Sequence, residues 1–306
     1  MAINTIQYAQ LLQKALDEQV VAQSTSGWME ANAGLVQYDG GAEVKIPSIA
    51  MQGMGDYDRD EGYTRGSVTV KHDTYKMTMD RGRSFQLDAM DVNESGFVAN
   101  ATAVIGEFQR SQVIPEIDSY RYSKIYSLAN ESGRVADVYN PAKATILDAL
   151  RADIAAIQDV VGEIPLVITM AHKISTILDS APDISKSISV VDFKQGSINL
   201  KVKAIDEIPI RKVPSARMKT AYIFKDGATG GQEDGGCIPA EGAKQINWII
   251  TPANAPIAIS KTDTLRIFDP ATNQRANAWL IDFRKYHDLW IMKNKMNTVM
   301  VNISGT

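Results

Sequence analysis

Cysteine is nearly absent. Cys237 is the single one in 306 residues, so no intramolecular disulfide framework can form, and a reducing compartment suits the chain. Histidine is scarce too: His72, His172 and His287 are the three present, and none has a second His or a Cys at metal-ligand spacing. That argues against zinc. No apolar run approaches the ~20 residues that cross a bilayer. The opening MAINTIQYAQ lacks the basic and apolar regions of a signal peptide. A chain kept in the cytoplasm, with no membrane contact, is expected. Excess positive charge is missing as well. The formal net charge is −4 with acids and bases interleaved, whereas tight nucleic-acid binding depends on basic groups that neutralise phosphates.

Recognisable reaction chemistry is also lacking. A catalytic His needs a nucleophile or acid at a positioned distance, and the sequence offers none of the three histidines such a partner. Cys237, in EDGGCIPAEG, follows Glu233 and Asp234 in what reads as a flexible polar loop. A reactive thiol wants the opposite, a basic or helix-N-terminal setting. KDGATGGQEDGG is rich in glycine but never reaches the Lys-Ser/Thr and helix that complete a phosphate-cradling loop. No catalytic residue and no cofactor is expected.

What is present is a conspicuous charged stretch, GMGDYDRDEG, at residues 53–62. Asp56, Asp58 and Asp60 alternate like the start of a calcium loop. Such a loop needs Gly at its sixth position and Glu at its twelfth. Counted from Asp56, those positions hold Glu61 and Ser67, so no calcium site is expected.

On either side, AEVKIPSIAMQGM and GSVTVKHDTYKMTMDRG read as the extended arms of a hairpin, with GDYDRDEGYTRG as a polar, Gly-rich tip. Neither arm carries enough apolar bulk for a core of its own, so the hairpin must lie against something else. Residues 3–23 read as a short amphipathic helix. A long helix is expected from Asn93 and Glu94, with Phe97, Ala101, Val104, Ile105 and Phe108 on one face. Pro115 is expected to interrupt it and start a second helix, PEIDSYRYSKIYSLA, the two making a bent rod of roughly 50 Å. After the loop ESGRVADVYNP comes an amphipathic helix with Ile146, Leu150, Ile154, Ile157 and Val161 on its apolar side, then a buried strand IPLVITM and a helix AHKISTILDS. Beyond Ser180, INLKVKAI, IPIRKV, KTAYIF, INWIITP and APIAISK read as strands, and the last stretch as two long strands. This order is α+β.

Four segments together resemble one family. STSGWMEANAGLVQYDGGAEVKIPSIAMQGMGDYDRDEGY, MDRGRSFQLDAMDVNESGF with EFQRSQVIPEIDSYRYSKI, AIDEIPIRKVPSARM, and FDPATNQRANAWLIDFRKYHDLWIMKNK are similar, in that order, to segments of the major capsid proteins of tailed bacteriophages infecting Gram-positive bacteria. The resemblance implies the Johnson fold. It implies an N-terminal arm over 1–35, an extended hairpin loop over 36–92, a peripheral domain with the spine helix over 93–139 and 251–306, and an axial domain over 140–250. It also implies self-assembly into hexamers and pentamers of an icosahedral shell, made in the host bacterial cytoplasm and ending as the virion. The other partners implied are a portal protein at one vertex and packaged double-stranded DNA held without sequence-specific binding. Some members begin with a cleaved scaffolding helix; this chain begins almost at the arm, so a separate scaffolding protein is expected. The lysine and asparagine that cross-link some members have no match here. Asp56, Asp58, Arg59, Asp60, Glu61 and Arg65 become the expected contacts to a neighbouring subunit at the loop tip. A tail-tube subunit and an α+β enzyme with an unrecognised site stay open as alternatives.

Overall fold

The computed structural model describes residues 23–35, 37–38, 43–60, 62–88, 104–182, 188–195, 198–273 and 275–305. All but the last residue of the helix expected over 3–23 lies outside these, as do Asn93, Glu94, Phe97 and Ala101 of the long helix.

The hairpin is present. Strands β2 (Glu43–Met51) and β3 (Val68–Lys76) pair antiparallel from Glu43↔Lys76 to Met51↔Val68, and β1 (Gln37–Tyr38) lies beside β2. The second arm ends sooner than expected. After Met77 the chain turns away, and β4 (Met79–Asp88) pairs with a different strand, β13 (Ala278–Ile291). The reason is local. Met77 is buried with Val44, Ile46, Ile259 and Trp290, the apolar root that a hairpin of polar arms lacks by itself.

A long helix follows, helical at residues 104–108, of π type at Gln109–Val113, and continuing as α1 (Ile114–Glu131). Pro115 therefore does not interrupt the rod. Proline has no N–H to donate and crowds the carbonyl four residues back; the wider π turn just before it takes up the misfit, and the helix passes through. The 28 described helical residues, 104–131, span about 42 Å at 1.5 Å rise.

Helix α2 (Ile146–Val161) buries Ile146, Leu147, Leu150, Ile154 and Ile157 as its spacing requires. Val161, expected on that face, is 38 % exposed. It sits in the last turn, where Gly162 at φ 74° ends the helix and donates its N–H to Gln158 O. The helix lies on a six-stranded sheet in the order β14-β11-β5-β8-β7-β6, with β5 (Leu166–Ala171), β6 (Ile188–Gln195), β7 (Ile198–Ile205), β8 (Ile208–Val213), β11 (Ile246–Pro252) and β14 (Met300–Ile303). Strands β5 and β11 are buried along their whole length, and α3 (His172–Asp179) follows β5 directly. The main core fills the space between sheet and helices, with Trp248 at its centre donating Nε1–H to Asp153 Oδ2 of α2 at 2.8 Å.

Two sequence readings need correction in this half. β6 was not expected as a strand: its Asp, Lys and Gln hide the period-2 pattern of an edge strand with a solvated face. Of the two long C-terminal strands, only β13 is long. β14 has four residues, because the 3-10 turn Lys293–Thr298 separates it from β13 and sends it to β11.

The third sheet, β12 (Pro256–Phe268), β13 and β4, packs under the upstream part of the spine through Ile105, Phe108, Leu265, Ile281 and Phe283. Gly82 of β4 is required there, since a Cβ would lie 2.8 Å from Phe283 O. A short ribbon, β9 (Tyr222–Phe224) with β10 (Cys237–Pro239), completes the set.

A polar strap joins hairpin and spine. Ser24, Thr25 and Ser26 all donate to the fully buried carboxylate of Asp118 on α1, through three hydroxyls (2.6–2.8 Å) and two backbone N–H groups (3.0–3.1 Å). Arg217 Nη1 supplies a sixth donor at 3.1 Å. The strap continues as a 3-10 helix, Gly27–Leu35, in which Glu30 pairs with Arg121 of α1 at 2.5 Å and accepts from Ser260 of β12. It leads straight into β1.

Candidate functional site: the hairpin tip

Residues 52–67 join β2 to β3 and project from the molecule. Asp56, Asp58, Arg59, Asp60 and Arg65 are all exposed there, as the sequence led us to expect; Glu61 lies outside the described residues. The tip has a defined shape. Asp58 and Gly62 exchange both backbone hydrogen bonds (3.1 and 2.8 Å), with Gly62 at φ 84°. Asp58 Oδ1 accepts the N–H of Asp60 at 2.7 Å, Thr64 Oγ1 donates to Asp56 O, and Gln52 Oε1 accepts the N–H of Ser67. Asp58 thus uses a carboxylate oxygen to hold the turn. Among the described residues no three His, Cys, Asp or Glu side chains gather as a metal site would require.

The sequence reading missed half of the tip's character. Met54 is 102 % exposed, Tyr63 88 % and Tyr57 61 %, and Met51, Val68 and Val70 extend the same apolar exposure down the arms. The two tyrosine rings meet edge to face at 4.9 Å, so they present one compact aromatic knob. The signal was Tyr and Met placed between acids in GMGDYDRDEGY. Isolated exposed apolar side chains are ordinary, whereas these three cluster on one turn.

The histidines stay apart. His72 is exposed on β3, His172 opens α3 at the surface, and His287 is buried in β13. Burial pushes the His287 imidazole well below the usual histidine range, with Arg121, Lys285 and Arg81 adding to the effect. Cys237 corrects the sequence reading. It lies in β10 rather than a loose loop, paired with Phe224, and burial first, then Glu116, pushes its thiol up. A raised thiol pKa opposes nucleophilic use. No helix among the described residues is long and apolar enough to cross a membrane.

No family model matches the sequence, and no curated protein does. Solved structures do. That of Gordonia phage Cozz is 14 % identical with a TM-score of 0.56, the match covering 86 % of this chain and 81 % of that one. The bacteriophage PhiM1 mature capsid subunit is 11 % identical at a TM-score of 0.55, covering 88 % and 83 %. A virus-like particle from Pyrococcus furiosus is 11 % identical at 0.51, covering 96 % and 99 %. Identities this low speak to fold, and the likeness runs through most of each chain. A rooted hairpin, a long spine helix, and one sheet under the spine with a larger one beside it make this the fold of phage major capsid subunits, the Johnson fold that the sequence resemblance implied.

Proposed function

We propose that the chain is the major capsid protein of a tailed bacteriophage, assembling into the hexamers and pentamers of an icosahedral shell around double-stranded DNA. The observation that carries this is the hairpin: a rooted, projecting element whose exposed tip holds charges and an aromatic knob, on a chain with the capsid fold. Such a surface is suited to a contact across a subunit boundary. Asp56, Asp58, Arg59, Asp60, Glu61 and Arg65 are its polar contacts in the shell, and Tyr57, Tyr63 and Met54 its apolar ones.

The remaining parts of the reading follow from the same resemblance. Residues 36–92 contain the extended loop, whose hairpin ends at Lys76 before β4 joins β13; 93–139 with 251–306 form the peripheral domain, and 140–250 the axial domain, with β14 reaching across to pair with β11. A separate scaffolding protein directs assembly in the host cytoplasm and a portal protein occupies one vertex. DNA is packed without sequence-specific contacts, in keeping with a net charge of −4. The role is structural and not catalytic.

Electron microscopy of the expressed chain, alone and with a scaffolding protein supplied, tests the reading. Closed shells or capsomer rings are expected. Helical tubes would point to a tail-tube subunit, and a monomer under every condition would overturn the proposal.

A further inference from the structure

The six-stranded sheet treats its two edges differently. Along β14, residues 134–139 close the edge. Ala136 N donates to Val301 O at 2.8 Å, Val301 N to Arg134 O at 3.1 Å and Tyr139 N to Ile303 O at 3.0 Å. At the other edge, among the described residues, no strand lies beyond β6. An open edge offers its backbone donors and acceptors to any strand that fits, and proteins blunt it with a bulge, a proline or an inward-pointing charge. β6 has none of these. Its eight residues, ISVVDFKQ, pair with β7 from Ile188↔Ile205 to Gln195↔Ile198 without a register shift.

The strand is held firmly from behind. Phe193 meets Trp28 edge to face at 6.3 Å and lies under the Arg211 guanidinium at 5.1 Å, while Gln195 Nε2 donates to Ser24 O at 2.6 Å. The side chains that alternate with these face solvent. Val190 is 66 % exposed, and Asp192 and Lys194 are exposed beyond it. A β-branched residue on an open edge favours strand addition rather than blocking it.

A second β6 is the strand whose charges fit. Two copies related by a two-fold axis perpendicular to the sheet pair antiparallel with their faces matched. With Phe193 opposite Phe193 of the second copy, Asp192 stands opposite Lys194 of that copy, and Lys194 opposite Asp192. Both pairs attract. The next matched register on one side sets Asp192 against Asp192, and on the other side Lys194 against Lys194, and like charges directly opposite are repulsive. One register is therefore singled out.

We propose that β6 is a self-pairing edge through which two copies of the chain join their sheets into one. The contact is isologous and closes on itself, so it cannot propagate a five- or six-membered ring. On the capsid reading it belongs to the chain before rings form.

Sedimentation velocity on the free full chain, over a range of concentrations, tests this. A reversible dimer is expected. Lys194→Asp sets acids against Asp192 of the second copy and should weaken the dimer about tenfold, while Asp192→Lys together with Lys194→Asp restores both attractive pairs and most of the affinity. A chain that stays monomeric, or passes to larger species without a dimer, overturns the inference. So does a dimer indifferent to Lys194→Asp, or one that the double variant fails to recover when melting shows both variants folded. Hydrogen exchange on the wild-type chain needs no variant: peptides covering 188–195 should gain protection as the dimer forms, and no gain there overturns the inference as well. All of these readouts precede assembly, so their failure leaves the capsid reading standing.

Discussion

Buried at 2 % exposure, His287 shows what a single residue contributes that spacing along the chain does not reveal. Its ring stands edge to face with Tyr120 of the spine at 5.3 Å, and its Nδ1 has no partner among the described residues. The nearby carboxylates are committed elsewhere: Asp288 to Tyr120 and Thr78, Glu116 to Arg81, Asp80 to Arg284. A proton on His287 would face Arg81, Arg121 and Lys285 instead. The folded state therefore keeps the imidazole neutral, while the unfolded chain takes up a proton near pH ~6.5. Stability is full above that value and falls as pH drops below it, until the depressed folded-state pKa is reached. The slope from this one group is at most about 1.4 kcal/mol per pH unit. Melting temperatures measured from pH ~7 down to ~5 should decline for the wild type, and His287→Phe should flatten that decline. An equally steep profile in the variant would contradict this account. At this scale the sequence was legible for charge and opaque for burial. Asp56, Asp58 and Asp60 were readable as a surface tip, but nothing in the spacing separated His287 from His72, or showed Tyr57 and Tyr63 touching.

Between elements, the strap on Asp118 does for the hairpin what the apolar root at Met77 does from the other side. Six donors converge on one fully buried carboxylate, linking residues 24–26, the spine and the turn at Arg217. Asp118→Ala would leave the hydroxyls, the N–H groups and the Arg217 cation without their acceptor. Losing one side of a buried charged network costs about 3–5 kcal/mol, so the unfolding free energy extrapolated from denaturant titration should fall by that amount. A shift under ~1 kcal/mol would mean that water or relaxation replaces the carboxylate. Elements with strong periodicity were legible: α2, β5 and α3 stand where the sequence put them. Those whose form depends on a neighbour were not. Pro115 read as a break because the compensating π turn has no signature of its own, and β6 was hidden by the polar face it turns to solvent. Ser24 to Ser26 carried no signal either, since the acceptor that orders them lies 92–94 residues away.

Across the whole molecule, energy is divided unevenly. Two apolar cores hold the body together without the tip: one between α2 and the six-stranded sheet, one between the spine and the sheet beneath it. The tip holds charges worth ~0.2–1 kcal/mol per exposed pair, together with an exposed aromatic knob. Element order made the capsid fold legible. The central claim, that this chain builds shells through a hairpin serving its neighbours, is tested most directly by replacing residues 53–66 with a short Gly–Ser turn. Thermal melting of the isolated subunit and electron micrographs of the assembly reaction are then compared with wild type. The account predicts an unchanged melting temperature and the loss of closed shells; intact shells from the shortened chain would contradict it.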